Sequence, residues 1–217
     1  MGDLRKIFDE LNKNCSYLIL RNWNDVLEDK VYANTEEDID ILCESKQSFI
    51  DLTGATSIHT NSHRDNYTVN YKGTKYRFDI RWIGDGYYPK VWEKKMIANR
   101  QLNENDVYVL SQADYCHSLT YHALLQKPSL SDEYKKIIGK LYHIIDHNNH
   151  EYDENTIQKK LKEFLDYHSY KFSIPQDPAV FINWNRINIM GIRKDNDYRL
   201  LARRTFYKIS LKLKLTK

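Results

Sequence analysis

In "KYRFDIRWI", residues 75–83, apolar and charged side chains alternate without a break. Tyr76, Phe78, Ile80 and Trp82 take one parity, and Arg77, Asp79 and Arg81 take the other. A period of two belongs to a β-strand with one face on a core; a helix would scatter these residues around its circumference. With "YTVNY" and "KGT" just before it, the segment reads as a hairpin around a glycine turn. "DIDILCE", residues 38–44, carries the same pattern upstream, with Ile39 and Ile41 on one face and Asp38 and Asp40 on the other. Two carboxylates on one face stand about 6–7 Å apart along the strand, from a rise of ~3.3 Å per residue. Like charges that close repel, and burying them is costly, so the arrangement calls for a cation. A divalent metal fits, since Mg²⁺ favours one or two carboxylates plus substrate phosphates. Asp79 is a candidate third ligand, with Arg77 or Arg81 meeting an anionic substrate. The plainer alternative is a structural ion-pair ladder, an acid set between two arginines.

The rest of the chain sets these strands in order. "LRKIFDELNKN" spaces Leu4, Ile7, Phe8 and Leu11 as an amphipathic helix, and "CSYLILRN" follows as a short apolar strand. "WNDVLED" reads as a connection or short helix, and "KQSFIDLTGAT" as a helix ending near Gly54. "VWEKKMIANRQL" is a further helix. Ser111 and Asp114 form a capping-box pattern that opens the helix "YCHSLTYHALLQK". "SDEYKKIIGKLYHIID" and "ENTIQKKLKEFLDYH" predict two more helices, while 173–190 is irregular. Strands dominate residues 15–83 and helices the remainder. That order predicts an α+β fold, a mixed β-sheet flanked by helices with a helical C-terminal portion.

Charge restricts the partners. Residues 198–217 carry seven Lys or Arg and no acid, leaving 26 basic against 30 acidic residues elsewhere. The main body therefore offers no general nucleic-acid surface. After a more helical "RLLARRTFY", the tail alternates Lys and Leu in "KISLKLKL", which predicts an amphipathic strand with a solvated face; the rival reading is a segment drawn to anionic lipid or nucleic acid. No apolar run approaches the ~20 residues of a membrane helix. The first residues lack an apolar signal core, and three cysteines form no CxxC pair, so the expectation is a cytoplasmic protein with reduced thiols.

"YLILRNW", "EEDIDILCE" and "YRFDIRWIGDGYY" together resemble the nucleotidyltransferase superfamily, whose fold is shared with DNA polymerase beta. The resemblance covers roughly residues 15–125 and is nearest to bacterial and viral members with an "LRN" or "LRG" loop, some of which accompany surface-polysaccharide genes. It implies a catalytic domain over 1–125 and a helical region with a basic tail over 126–217. It further implies Asp38, Asp40 and Asp79 as catalytic metal ligands for Mg²⁺ or Mn²⁺, with Asp79 taking the acceptor's proton. Arg21, Asn22 and Arg81 would contact the nucleotide. The implied reaction moves a nucleoside monophosphate from an NTP such as ATP to a hydroxyl or phosphate of a small acceptor, a sugar or sugar phosphate among them. The sequence departs from the family where Leu20-Arg21-Asn22-Trp23 replaces the usual small residues of the phosphate loop. Arg21 would substitute a guanidinium fork for the backbone cradle.

Two other functions compete. A glycosyltransferase also uses D-x-D to hold a metal and a nucleotide sugar, but only one helix and one strand precede Asp38, too little for a preceding nucleotide unit. A catalytically inactive binding module of the same fold is the other. His143, His147 and His150 have helical spacing without the Glu of a zinc protease, and read as surface histidines, while His59 and His63 read as loop. "GDGYY", residues 84–88, reads as a turn and a candidate acceptor loop. Tyr121, His122 and Lys127 read either as a pocket border or as core and surface.

Overall fold

The computed structural model describes residues 3–24, 26–27, 29–58, 66–147 and 152–215. It divides into two compact units, Met1–Asp85 with Lys90–Tyr115, and Gly86–Pro89 with Cys116–Lys217.

Among the described residues the first unit is built on a mixed seven-stranded sheet. In chain order it contains α1 (Asp3–Asn14), β1 (Tyr17–Ile19), α2 (Asp29–Tyr32), β2 (Asp38–Cys43), α3 (Lys46–Thr53), β3 (Thr56–Ser57), β4 (Asn66–Tyr71), β5 (Thr74–Trp82), α4 (Lys90–Ala98), β6 (Gln101–Leu102) and β7 (Tyr108–Val109). The strands lie in the order β3-β4-β5-β2-β1-β7-β6. β4 and β5 form the expected antiparallel hairpin, closing Tyr71 onto Thr74. β2 then adds to β5 in parallel, and β1 adds antiparallel to β2.

The alternation read in the sequence becomes the inside and outside of this sheet. Tyr76, Phe78 and Ile80 are at most 1 % exposed, and Ile39 and Ile41 at most 2 %. They pack with Leu4, Phe8 and Leu11 of α1 and Phe49 of α3 in one apolar cluster. Phe49 meets Phe78 edge-on at 5.5 Å, and Phe8 stacks on Tyr17 at 5.8 Å. Trp82 departs from the expected burial: it is half-buried, with Lys46 Nζ 3.8 Å above its ring. α3 ends at Gly54, whose φ of +64° closes the helix in the left-handed conformation open to glycine.

The second unit is helical, comprising most of α5 (Gln112–Leu125) and all of α6 (Asp132–Asp146), α7 (Glu154–Tyr167), α8 (Trp184–Ile189) and α9 (Tyr198–Leu215). Ser111 caps α5 as expected, accepting from the Asp114 backbone N–H at 3.2 Å and donating to its carboxylate at 2.8 Å. Ser131 and Asp153 cap α6 and α7. His143 lies within α6 and His147 is its C-cap; His59, His63 and His150 fall outside the described residues. α8 falls in the stretch read as irregular.

The tail corrects the expectation of a strand in "KISLKLKL": Tyr198–Leu215 is one helix, which continues the helical "RLLARRTFY" through residues 208–215. A strand must find a neighbour for its backbone N–H and C=O groups, whereas a helix satisfies them internally. Among the described residues the second unit holds no sheet, only an isolated bridge between Phe172 and Lys194.

Gly86 to Tyr88 also differ from an open acceptor loop. Tyr87 and Tyr88 are 3 % and 1 % exposed, and the Tyr87 hydroxyl lies 2.9 Å from His122 Nδ1. Tyr121 is fully buried too, so this group serves the core of the second unit. The apolar mass of two tyrosines draws the segment inward, and Gly86 permits the approach. A Cβ at position 86 would meet the Ile174 carbonyl oxygen at 2.4 Å, and the residue's φ is +79°. Gly86→Ala is therefore expected to lower stability by about 2 kcal/mol or more, measured by thermal or urea unfolding.

Candidate active site

The parallel register of β2 on β5 pairs Asp38 with Arg77 and Asp40 with Asp79. Neighbouring strands run about 4.8 Å apart, so Asp40 and Asp79 are side by side, with Asp38 two residues along the same face. The three acids predicted from two separate segments thus share one face of two adjacent strands.

β1 brings Arg21 to them. The Leu20 backbone N–H donates to the Asp40 carbonyl at 2.9 Å, which carries the β1–β2 pairing past Ile19 and sets Arg21 beside Asp40. Its guanidinium forks onto that carboxylate, Nη2 to Oδ1 at 2.6 Å and Nε to Oδ2 at 3.2 Å. Arg81 Nη2 donates to Asp79 Oδ2 at 2.8 Å from two residues along β5. Arg77 Nε lies 3.0 Å from Asp38 Oδ1, and the same guanidinium pairs with Glu36. Each acid consequently has an arginine, and charges alternate across the face.

Asn22 stands apart from this group. It follows Arg21 with a φ of +57°, is exposed, and is tied to Tyr32 through its backbone carbonyl. The left-handed turn there takes the chain off the sheet, and Trp23 anchors it edge-on to Tyr115 at 4.3 Å. Asn66 and Glu36 were not singled out in the sequence. Asn66 Nδ2 donates to Asp38 Oδ2 at 3.3 Å from β4, opposite Asp79. Glu36 enters through Arg77.

The acids are electrostatically strained. Burial pushes the Asp38 carboxyl up to about 6, and the charges of Asp79 and Asp40 add to the rise. Arg77, whose Nε lies 3.0 Å away, is shared with Glu36, and that nitrogen makes no hydrogen bond to Asp38. Burial raises the Asp79 carboxyl as well; Arg81 opposes the rise and Asp40 adds to it.

Chemically this is a set of hard oxygen donors suited to Mg²⁺ or Mn²⁺. Asp38 Oδ1 and Asp79 Oδ1 are buried and accept no well-aligned hydrogen bond, although each lies within ion-pair distance of an arginine, 3.0 Å from Arg77 Nε and 2.8 Å from Arg81 Nη2. Among the described residues no three acidic, His or Cys side chains already stand in a ligating arrangement. The carboxylates are turned to their arginines instead.

Comparison with known proteins adds little to this geometry. No family model and no curated protein matches the chain. Among solved structures, an antigenic nucleotidyltransferase-like protein from Paracoccidioides brasiliensis overlays 89 % of this chain and 94 % of its own at 9 % identity. The TM-score is 0.37, too low for that overlay to carry fold or activity across. Among the described residues no helix is long and apolar enough to cross a membrane.

The raised Asp38 carboxyl sets a pH dependence in the metal-free protein. A folded-state value above the unfolded one means that the folded chain holds the proton more tightly. Asp38 thus adds stability below about pH 4 and loses it as pH rises through about 6. Asp38→Asn is expected to match the wild type at pH 4 and to exceed it by about 1 kcal/mol at pH 7, the shift being discounted for a partly exposed group. Chemical unfolding of both proteins across this range reads the difference, which cancels other titrating groups such as buried His117.

Proposed function

We propose that the protein is a divalent-metal-dependent nucleotidyltransferase that moves a nucleoside monophosphate from an NTP to a small hydroxyl- or phosphate-bearing acceptor. The observation that carries this reading is the register of β2 on β5, which gathers Asp38, Asp40 and Asp79 on one face. The resemblance of "DIDILCE" and "YRFDIRWIGDGYY" to the superfamily supports it.

In this reading Asp38, Asp40 and Asp79 hold the metal. When bound, the ion supplies charge neutralisation for the triphosphate and for the leaving pyrophosphate. Arg21 leaves Asp40 to grip phosphate oxygens, a geometry to which its planar fork is equally suited. Asn22, exposed at the turn after β1, offers a second phosphate contact. Arg81 is 5 % exposed and remains on Asp79, which it orients. Asp79 receives the acceptor's proton as the acceptor oxygen attacks the α-phosphorus and the bond to pyrophosphate breaks.

A second reading rests on the three arginine pairs. They set an arginine beside each of the three acids, with Arg77 shared between Asp38 and Glu36, as a structural ladder or a catalytically inactive binding module would. The two readings part on turnover. Purified protein is incubated with each NTP, Mg²⁺ or Mn²⁺ and a metabolite extract, with pyrophosphate release and product mass as readouts. Nucleotidyl transfer predicts product for at least one NTP, and a drop of about 10²–10⁴-fold in Asp79→Asn with NTP binding retained. Wild-type turnover in Asp79→Asn removes that residue from the chemistry, and silence with every NTP in both metals favours the ladder.

A further inference from the structure

α9 is basic throughout and exposes an apolar stripe. At about 100° per residue, Tyr198, Ala202, Phe206 and Ile209 fall within an arc of about 80°. All four are exposed, Tyr198 by 76 %, Phe206 by 72 % and Ile209 by 48 %. Single exposed apolar residues are ordinary, but four in one line on one helix are a surface with a use.

The opposite side of the helix explains what holds it in place. Arg204, about 160° around from the centre of the stripe, is 6 % exposed. Its guanidinium donates to the carbonyls of Pro175 at 3.1 Å, Asp177 at 2.8 Å and Val180. Asp197 caps the first turn, accepting from the backbone N–H groups of Arg199 and Leu200 at 3.0 Å. One side is thus tied to the second unit while the other is presented outward, bordered by Arg199 and, farther round, by Lys208, both exposed.

We propose that this outward face of α9 docks on an anionic lipid surface. Phe206 and Ile209 enter the acyl boundary, the amphipathic ring of Tyr198 rests at headgroup level, and the flanking cations meet lipid phosphates. Charge selects this occupant. Residues 198–217 carry seven Lys or Arg and no acid. A second copy of the chain on a two-fold axis would set the same cationic helix against itself with no acid from that segment to compensate. A nucleic acid would match the charge but would leave an aliphatic residue such as Ile209 at the centre of the contact without a role. An anionic bilayer satisfies the apolar stripe and the basic border together.

Point variants of the full chain suit the test better than truncation, which would strip Arg204 from three carbonyls. Co-sedimentation compares vesicles of phosphatidylcholine alone with vesicles one-third phosphatidylglycerol, at low and high salt. The wild type is expected to partition onto the anionic vesicles at least about tenfold more strongly, and to lose most of that in high salt. Phe206→Ser with Ile209→Ser is expected to lower partition by about tenfold or more. Arg199→Glu with Lys208→Glu, both on exposed positions and expected to melt like the wild type, is expected to lower it similarly. Equal partition onto the two vesicle types, or none, overturns the proposal. So does wild-type partition by either double variant, or light scattering in which the Phe206 and Ile209 changes convert a dimer to a monomer. If the apolar double variant does not fold, the charge-reversal pair decides alone: retained partition overturns the proposal and lost partition supports it.

Discussion

The parallel pairing of β2 on β5 is the constraint from which the candidate site follows. Its register sets Asp40 against Asp79 and Asp38 against Arg77. A slip of one residue would turn the acids of one strand to the side now occupied by Tyr76, Phe78 and Ile80. The apolar cluster beneath the sheet therefore fixes the polar geometry above it. Burial stands first among the causes raising Asp38 and Asp79.

Each of the three carboxylates has a guanidinium beside it, and that pairing shapes the proposed chemistry. Removing one partner of a buried pair leaves a charge without compensation, at a cost of several kcal/mol. A metal ion arriving alone would meet this barrier, because it must separate Arg21 from Asp40. A metal bound to triphosphate would not: as the ion takes the carboxylate, the phosphate takes the arginine. In the proposed reading the arginine pairs thus make binding of metal and nucleotide mutually dependent.

Much of this was legible in the residues. Alternation in residues 75–83 and 38–44 gave the buried and polar parities, and the capping pair Ser111 and Asp114 gave the start of α5. Even Asn66 was within reach, since a turn closing Tyr71 onto Thr74 places residue 66 opposite 79 by simple counting. Arg81 beside Asp79 was legible too, as the acid set between two arginines, but the arginine partner of Asp40 was not. Arg21 reaches Asp40 only because β1 pairs antiparallel with β2, a contact between strands that no local pattern encodes. The tail misled for a related reason: Lys-Leu alternation reports a period of two, but a strand exists only beside another strand, and the second unit supplies none among its described residues. Tyr87 and Tyr88 looked like loop residues because they follow two glycines; their burial comes from partners such as His122, distant in the chain.

Arg204 gives the last helix a mechanical character that its sequence hides. A basic segment at the end of a chain invites treatment as a detachable appendage, one that could be trimmed, tagged or exchanged freely. Here its middle is stitched by one side chain to the carbonyls of residues 175, 177 and 180. A pull on this helix is transmitted to the loop ahead of α8, so whatever engages the outer surface of α9 also grips the body of the second unit.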